Sequence, residues 1–197
     1  MQIIFNPLVD EKKYYELGKC FKFPDLTKTL CPQCRKGKLR KHGFYSRYYI
    51  SKDFETELLI RRHICPCCKR TVSSLPFFCH PRRTHSIPFI LAVLKHLFYK
   101  GGSLVSLLDR LMGHGFICSR QLLYQYRERF IKNLTFISME LYKIISPKDY
   151  VFKKEDKKRA RQVLSLIHSK VSTPLNVSMR LFEGCGYSYL TQHHFRV

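Results

Sequence analysis

Two short stretches, "CPQC" at residues 31–34 and "CPCC" at residues 65–68, repeat one device: Cys, Pro, any residue, Cys, then two basic residues (Arg35 and Lys36; Lys69 and Arg70). A C-x-x-C pair makes two thiolates converge because the chain turns sharply between them, and amides in that turn can hydrogen-bond the sulfurs. Two such pairs joined by a β-hairpin build a closed tetrahedral four-thiolate site, the geometry of structural zinc. Aligning the pairs places Cys67 where Gln33 stands. The predicted ligands are therefore Cys31, Cys34, Cys65 and Cys68, holding one structural Zn2+, with Cys67 a non-ligand between two of them. Thirty residues separate the pairs, more than the roughly 15–20 of short zinc modules, so the hairpin between them must be long. A redox dithiol would use a single pair inside a βαβ pattern, which is not present. Four thiolates also suit an iron–sulfur cluster, so the cysteines specify a thiolate-bound metal more firmly than they specify zinc. A site closed by four protein ligands has no open position for water and holds a fold without catalysing.

The chain has 197 residues and nine cysteines. A reducing compartment disfavours disulfides as the explanation for them. Cys20, Cys79, Cys118 and Cys185 stand alone and read as buried structural thiols. Lys and Arg number 36 against 14 Asp and Glu, for a net charge of +22. That excess suits a polyanionic partner, nucleic acid first and an anionic membrane surface second. No run reaches the roughly 18 apolar residues of a spanning helix, and the N-terminal stretch does not resemble a signal peptide. The expected location is cytoplasmic and nucleoid-associated, with no membrane partner. Residues 31–134 carry 20 basic and 5 acidic side chains, so the polyanion is expected there.

The pattern divides the chain into an N-terminal extension (1–27), a zinc ribbon (28–80), a helix-turn-helix unit (85–134) and a helical C-terminal region (135–197). Within the ribbon, "RKHGFYSRYYI", a polar turn and "TELLIRRHI" read as a hairpin with one cysteine pair before it and the other after it; "TVSSLP" reads as a further short strand. After Pro88 the apolar period becomes helical. One helix ends at Gly101-Gly102, a second starts at Ser103 with Leu104, Leu107, Leu108 and Leu111 on one face, and a third starts at Ser119. The fold class is α+β: a small four-cysteine ribbon, then a three-helix helix-turn-helix unit, then mostly helix.

In the third helix, turning Leu122, Leu123, Tyr126 and Phe130 inward leaves Arg120, Gln121, Tyr124, Gln125 and Arg127 outward or flanking. Those side chains suit base edges in a major groove. Arg35, Lys36, Lys38, Arg40, Lys41, Arg61, Arg62, Lys69, Arg70, Arg82 and Arg83 suit phosphates, which supply affinity without sequence choice. Arg47 belongs to the same basic surface. His63, His80 and His85 are substitute ligands made unnecessary by four thiolates, and His193-His194 is an isolated pair.

The order "CPQC…KHGFYSR…LLIRRHICPCCKRTVSSLPFF", then "THS" and a helix-turn-helix, resembles the N-terminal zinc-ribbon domain of bacterial insertion-sequence transposases and of short transposon-associated proteins. The likeness covers about residues 28–133. It implies recognition of transposon-end DNA by both ribbon and helix-turn-helix, with a transposase or a second copy of the chain as protein partner. It also implies a ribonuclease-H-like catalytic domain, for which the last 63 residues are too short; they hold Glu140, Asp149, Glu155, Asp156 and Glu183 as their acids. The expected function is thus zinc-stabilised, sequence-specific duplex-DNA binding without cleavage. The alternatives are a subunit of a DNA-cleaving and joining transposase complex, or an RNA-binding ribbon using Phe44, Tyr45, Tyr48 and Tyr49 to stack on unpaired bases.

Overall fold

The structure is a computed structural model that describes residues 1–52, 54–99, 103–116, 118–144, 151–169, 181, 189 and 190. It is α+β, with one four-stranded sheet and five α-helices among the described residues. The chain divides into two units, Met1–Ser86 and Ile87–Val197.

The first unit contains β1 (Gln2–Phe5), α1 (Glu11–Leu17), β2 (Arg40–Ile50), β3 (Glu55–Ile64) and β4 (Thr71–Pro76). The sheet order is β1-β4-β3-β2. β2 and β3 form the expected hairpin, antiparallel from Arg40↔Ile64 to Ile50↔Glu55 with a bulge between Lys41 and Phe44. Gly43 supplies the left-handed backbone at that bulge, with φ of 87°. β4 then pairs antiparallel with β3, Thr71 opposite Ile64. Tyr49, Leu58, Ile60 and Leu75 are buried here, and an aromatic set joins them, with Tyr14 of α1 stacked 4.7 Å from Phe21 and 5.7 Å from Phe78. The Tyr14 hydroxyl donates to the Leu59 carbonyl at 2.8 Å. α1 starts at Asp10, whose carboxylate accepts from the Lys13 amide at 2.7 Å.

Residues 1–27 are not an extension. β1 completes the sheet by parallel pairing with β4, Gln2 opposite Ser73 and Ile4 opposite Leu75. Four residues carry too short an alternation to announce a strand, and the pairing partner lies about 70 residues away, so no local signal exposes it. The unit also runs past residue 80: Ile50 bridges His85, Cys79 bridges Ser86, and the Ser86 amide donates to the Ile50 carbonyl at 2.7 Å.

The second unit contains α2 (Ile87–Tyr99), α3 (Leu104–Gly113), α4 (Arg120–Ile144) and α5 (Asp156–Ser169). Ser103 and Ser119 are N-caps, accepting from Ser106 and Leu122 amides at 3.1 Å each. α4 continues well past Asn133, because its buried stripe of Leu123, Tyr126, Phe130, Leu134, Ile137 and Leu141 keeps helical spacing throughout. α5 buries Ala160, Val163, Leu164 and Ile167 in the same core as α2 and α4. Arg161 donates to the Phe98 carbonyl at 2.7 Å, while Tyr99 donates back to the Arg161 carbonyl at 2.6 Å. The boundary expected at 134/135 therefore does not separate two regions; one core spans it. Among the described residues, no helix is long and apolar enough to cross a membrane. Asp149, Glu183, Cys185, His193 and His194 lie outside the described residues.

Replacing Tyr14 separates packing from hydrogen bonding in the first unit. Tyr14→Ala is expected to cost about 3–5 kcal/mol by leaving a cavity among the rings, and Tyr14→Phe about 1 kcal/mol by removing the bond to Leu59. Urea unfolding of the full chain followed by tyrosine fluorescence reads both; equal losses would place the stabilisation in the hydroxyl alone.

Candidate metal centre and basic surface

The hairpin register brings the two cysteine pairs together. Arg40, at the start of β2, lies opposite Ile64, at the end of β3, so the knuckle before β2 and the knuckle after β3 meet at one end of the sheet. The four predicted sulfurs, of Cys31, Cys34, Cys65 and Cys68, lie within 4.8 Å of one another. Cys31 Sγ is 3.7 Å from Cys68 Sγ, and Cys34 Sγ is 3.6 Å from Cys65 Sγ. A tetrahedron of sulfurs 2.3 Å from a central zinc has edges of about 3.8 Å, whereas a disulfide would bring two sulfurs to about 2.05 Å. The donor set and its spacing fit a thiolate-bound metal and not a bridged pair. All four are free thiols in the structure. Cys31 and Cys65 are fully buried, packed with Leu39 and Val72.

The two knuckles make the same first turn and differ by one residue in the second closure. The amide after each second cysteine closes a turn onto the first: Arg35 N–H donates to the Cys31 carbonyl at 2.8 Å and Lys69 N–H to the Cys65 carbonyl at 2.9 Å. Each of these two residues is held in the left-handed region, Arg35 at φ 54° and Lys69 at φ 58°. Cys31 N–H then donates to the Gly37 carbonyl and Cys65 N–H to the Arg70 carbonyl, at 2.8 and 2.9 Å. Gly37 is required for space: a Cβ there would stand 2.7 Å from Cys67 Sγ and 3.0 Å from Cys65 Sγ.

Amides aimed at sulfur favour thiolates. The Gly37 and Lys36 N–H groups hold Cys34 down at about 6. The Cys68 and Cys67 amides likewise lower Cys65, against the effect of burial. Cys68 accepts from the Arg70 amide, yet burial and the three facing thiols push it up to about 11. One anionic sulfur among four crowded thiols raises its neighbours, and a bound dication removes that conflict by stabilising all four as thiolates. A metal held there would supply folding stabilisation. Cys67 is exposed and lies outside the cluster, as the alignment of the knuckles predicts.

The other cysteines divide. Cys79 is buried, and burial pushes its thiol up to about 12. Cys118 is half-buried and raised by the same cause. Cys20 is exposed, which corrects its reading as a buried thiol: it sits on the short turn after α1 with its side chain toward water. His63 is buried beside Cys65 but belongs to no ligand group among the described residues, and burial lowers its pKa.

The basic surface is also uneven. Arg35, Lys36, Lys38, Arg40, Lys41, Lys69 and Arg70 are exposed around the knuckles, and none makes an ion pair among the described residues. Lys38, Arg40 and Lys41 border an open groove of about 610 Å³ floored by Leu39 and Pro66. Arg82 is exposed as well. Arg47 is different: its guanidinium donates to the carbonyls of His80, at 2.6 Å, and of Arg83, so it ties the 80–83 loop to β2 and is not a free phosphate donor. Arg83 is half-buried in that loop. Arg61 and Arg62 are half-buried too, with their guanidinium carbons 4.6 Å over Phe44 and 5.8 Å over Tyr45. Tyr49 is fully buried and donates its hydroxyl to Glu11, which removes it from any base-stacking surface.

On α4, Leu123, Tyr126 and Phe130 are fully buried and Leu122 is half-buried. Arg120, Gln121, Tyr124 and Arg127 are exposed, and Gln125 is half-exposed. Arg127 pairs with Glu128 at 3.3 Å in a solvent-facing contact of small worth. Of the acids in the last third of the chain, Glu140 and Glu155 pair with Lys143 and Lys158 one turn on.

The left-handed backbone at the knuckles and the αL arginine and lysine are what residue counting misses, since only glycine announces positive φ in a sequence. Neither knuckle has a glycine at its left-handed position, which Arg35 and Lys69 occupy, so the sequence carries no signal for it.

Three substitutions test this geometry. Cys34→Ser is expected to remove the metal, measured by mass spectrometry of the intact chain, while Cys67→Ser retains one metal per chain; the reverse order would displace the ligand assignment. Lys69→Gly is expected to raise the unfolding free energy slightly, by up to about 1 kcal/mol, because it relaxes a strained left-handed residue. A loss of stability would show that Lys69 contributes by more than its backbone.

A family model described as a domain of unknown function, DUF6431, matches residues 31–103, from the first knuckle to the start of α3. No curated protein and no solved structure matches the chain. Neither that description nor the grouping of side chains among the described residues points to a catalytic activity.

Proposed function

We propose that the chain is a zinc-stabilised, sequence-specific double-stranded DNA-binding protein of transposon type, which recognises mobile-element DNA and does not cleave it alone. In this reading the first unit is a zinc ribbon, and α2, α3 and α4 form a helix-turn-helix in which α4 enters the major groove. The observation that carries it is the set of exposed lysines and arginines around the thiol cluster, none of them in an ion pair among the described residues. Unpaired cations clustered on one rigid element are what a phosphate backbone recruits. Rigidity comes from the metal, so the cations keep fixed spacing.

The start of α4 supports the second half of the reading. Ser119 caps it, and its exposed Arg120, Gln121 and Tyr124 sit in the first two turns, where a recognition helix contacts base edges. Arg120 suits guanine and Gln121 adenine. A transposase or a second copy of the chain is the protein partner this reading assigns.

Duplex binding must then depend steeply on salt. With Arg40, Lys41, Lys69, Arg70 and Arg82 each on a phosphate, log K is expected to fall with log salt at a slope of about −4.5, a loss of about 500-fold between 50 and 200 mM. Fluorescence anisotropy on a labelled duplex measures it. Lys69→Ala is expected to reduce the slope by about one, and Arg120→Ala to lower sequence discrimination while leaving the slope nearly unchanged. A slope near zero would reject the proposal.

A further inference from the structure

A cleft on the first unit lies next to the knuckles, at the Lys41↔His63 end of the hairpin. The cross-strand pairs Lys41↔His63 and Phe44↔Arg61 place four chemically distinct side chains on one face of the hairpin, because His63 and Arg61 are two residues apart on β3. The segment after α1 passes beside this face and contributes Lys19 and Phe23. Together they line a cleft of about 190 Å³. Phe23 stands 5.3 Å from Phe44 with the rings tilted, and Arg61 covers the Phe44 ring at 4.6 Å. Both phenylalanines are partly exposed.

Two features mark this cleft as more than packing. It gathers three cations, Lys19, Lys41 and Arg61, against one lining carboxylate, Asp25. And His63, 1% exposed, lines it with a buried Nδ1 that has no hydrogen-bond partner among the described residues. A buried imidazole nitrogen without a partner is costly unless something fills the role. The complementary ligand is therefore flat and aromatic, carries polar edge atoms for His63, and bears an anion for the lysines. We propose that this cleft binds one unpaired nucleotide of the DNA, its base against Phe23 and Phe44 and its phosphate toward Lys19 and Lys41. The inference deepens the DNA-binding reading and rests on it for the macromolecule, though not for the pocket chemistry.

The test uses full-length, metal-loaded protein and 2-aminopurine, whose fluorescence is quenched on stacking. One arm titrates protein into 2-aminopurine deoxyriboside monophosphate. The other compares a fully paired duplex with the same duplex carrying one unpaired 2-aminopurine nucleotide. The expected results are quenching in the first arm and about tenfold tighter binding of the bulged duplex in the second, the scale of one base–aromatic stack. Phe23→Leu and Lys19→Gln are expected to abolish both effects while metal content and paired-duplex affinity stay unchanged. Equal affinity for the two duplexes with no quenching overturns the proposal, as does undiminished quenching in Phe23→Leu. Displacement of the mononucleotide by an acidic phenylalanine-containing peptide at lower concentration than by dAMP also overturns it, assigning the cleft to a protein ligand. Quenching of the mononucleotide without binding of either duplex overturns the DNA-binding reading and leaves the pocket chemistry standing.

Discussion

Four sulfurs held within 4.8 Å of one another are what the first unit is built around. Sulfurs at that spacing are too far apart for a disulfide, and four thiolates there would repel one another unless a cation lay among them. The hairpin explains why so many residues separate the pairs: β2 runs away from the first knuckle, β3 returns to the second, and the register Arg40↔Ile64 closes the loop. β4 leaves the second knuckle immediately and pairs with β3, and β1 pairs with β4. The knuckles thus close one end of the β2–β3 hairpin, onto which β4 and then β1 are added. The hydrophobic group at the site is small, Leu39 and Val72 with two of the cysteines. A metal held there would add to the stabilisation that buried Tyr14, Tyr49, Leu58, Ile60 and Leu75 supply elsewhere in the unit.

Holding the fold and displaying charge are divided between residue types. The cysteines face inward, while the basic residues that follow them in sequence face water. The same tight turn that directs a sulfur inward directs Arg35 and Lys69 outward from left-handed positions. Charge display is therefore a geometric consequence of the turns that gather the sulfurs. Other arginines serve the sheet itself: Arg47 anchors a loop through two carbonyls, and Arg61 and Arg62 lie over rings. Counting positive charge treats all of these as equivalent, and their surroundings do not.

What was legible in the sequence followed from strong local periodicity. The hairpin, the caps at Ser103 and Ser119, and the inward faces of α3 and α4 each rest on a short pattern whose physical cause lies in the same few residues. The four clustered cysteines were legible because two knuckles of one pattern exclude Cys67 by alignment. What stayed hidden is non-local. β1 has no identity without β4, and the tethering of Arg47 needs the 80–83 loop to fold back. The extension of α4 to Ile144 was visible in the spacing of Ile137 and Leu141, but the helix-turn-helix pattern drew the boundary too early. The cleft around His63 required strand register, which no single stretch of sequence specifies.

The central claim is a four-thiolate metal centre, and X-ray absorption at the zinc edge of the intact protein tests it most directly. Four sulfur scatterers at about 2.3 Å with no nitrogen or oxygen shell are predicted. A mixed shell with imidazole or water, or no zinc edge on protein purified without added metal, would contradict it.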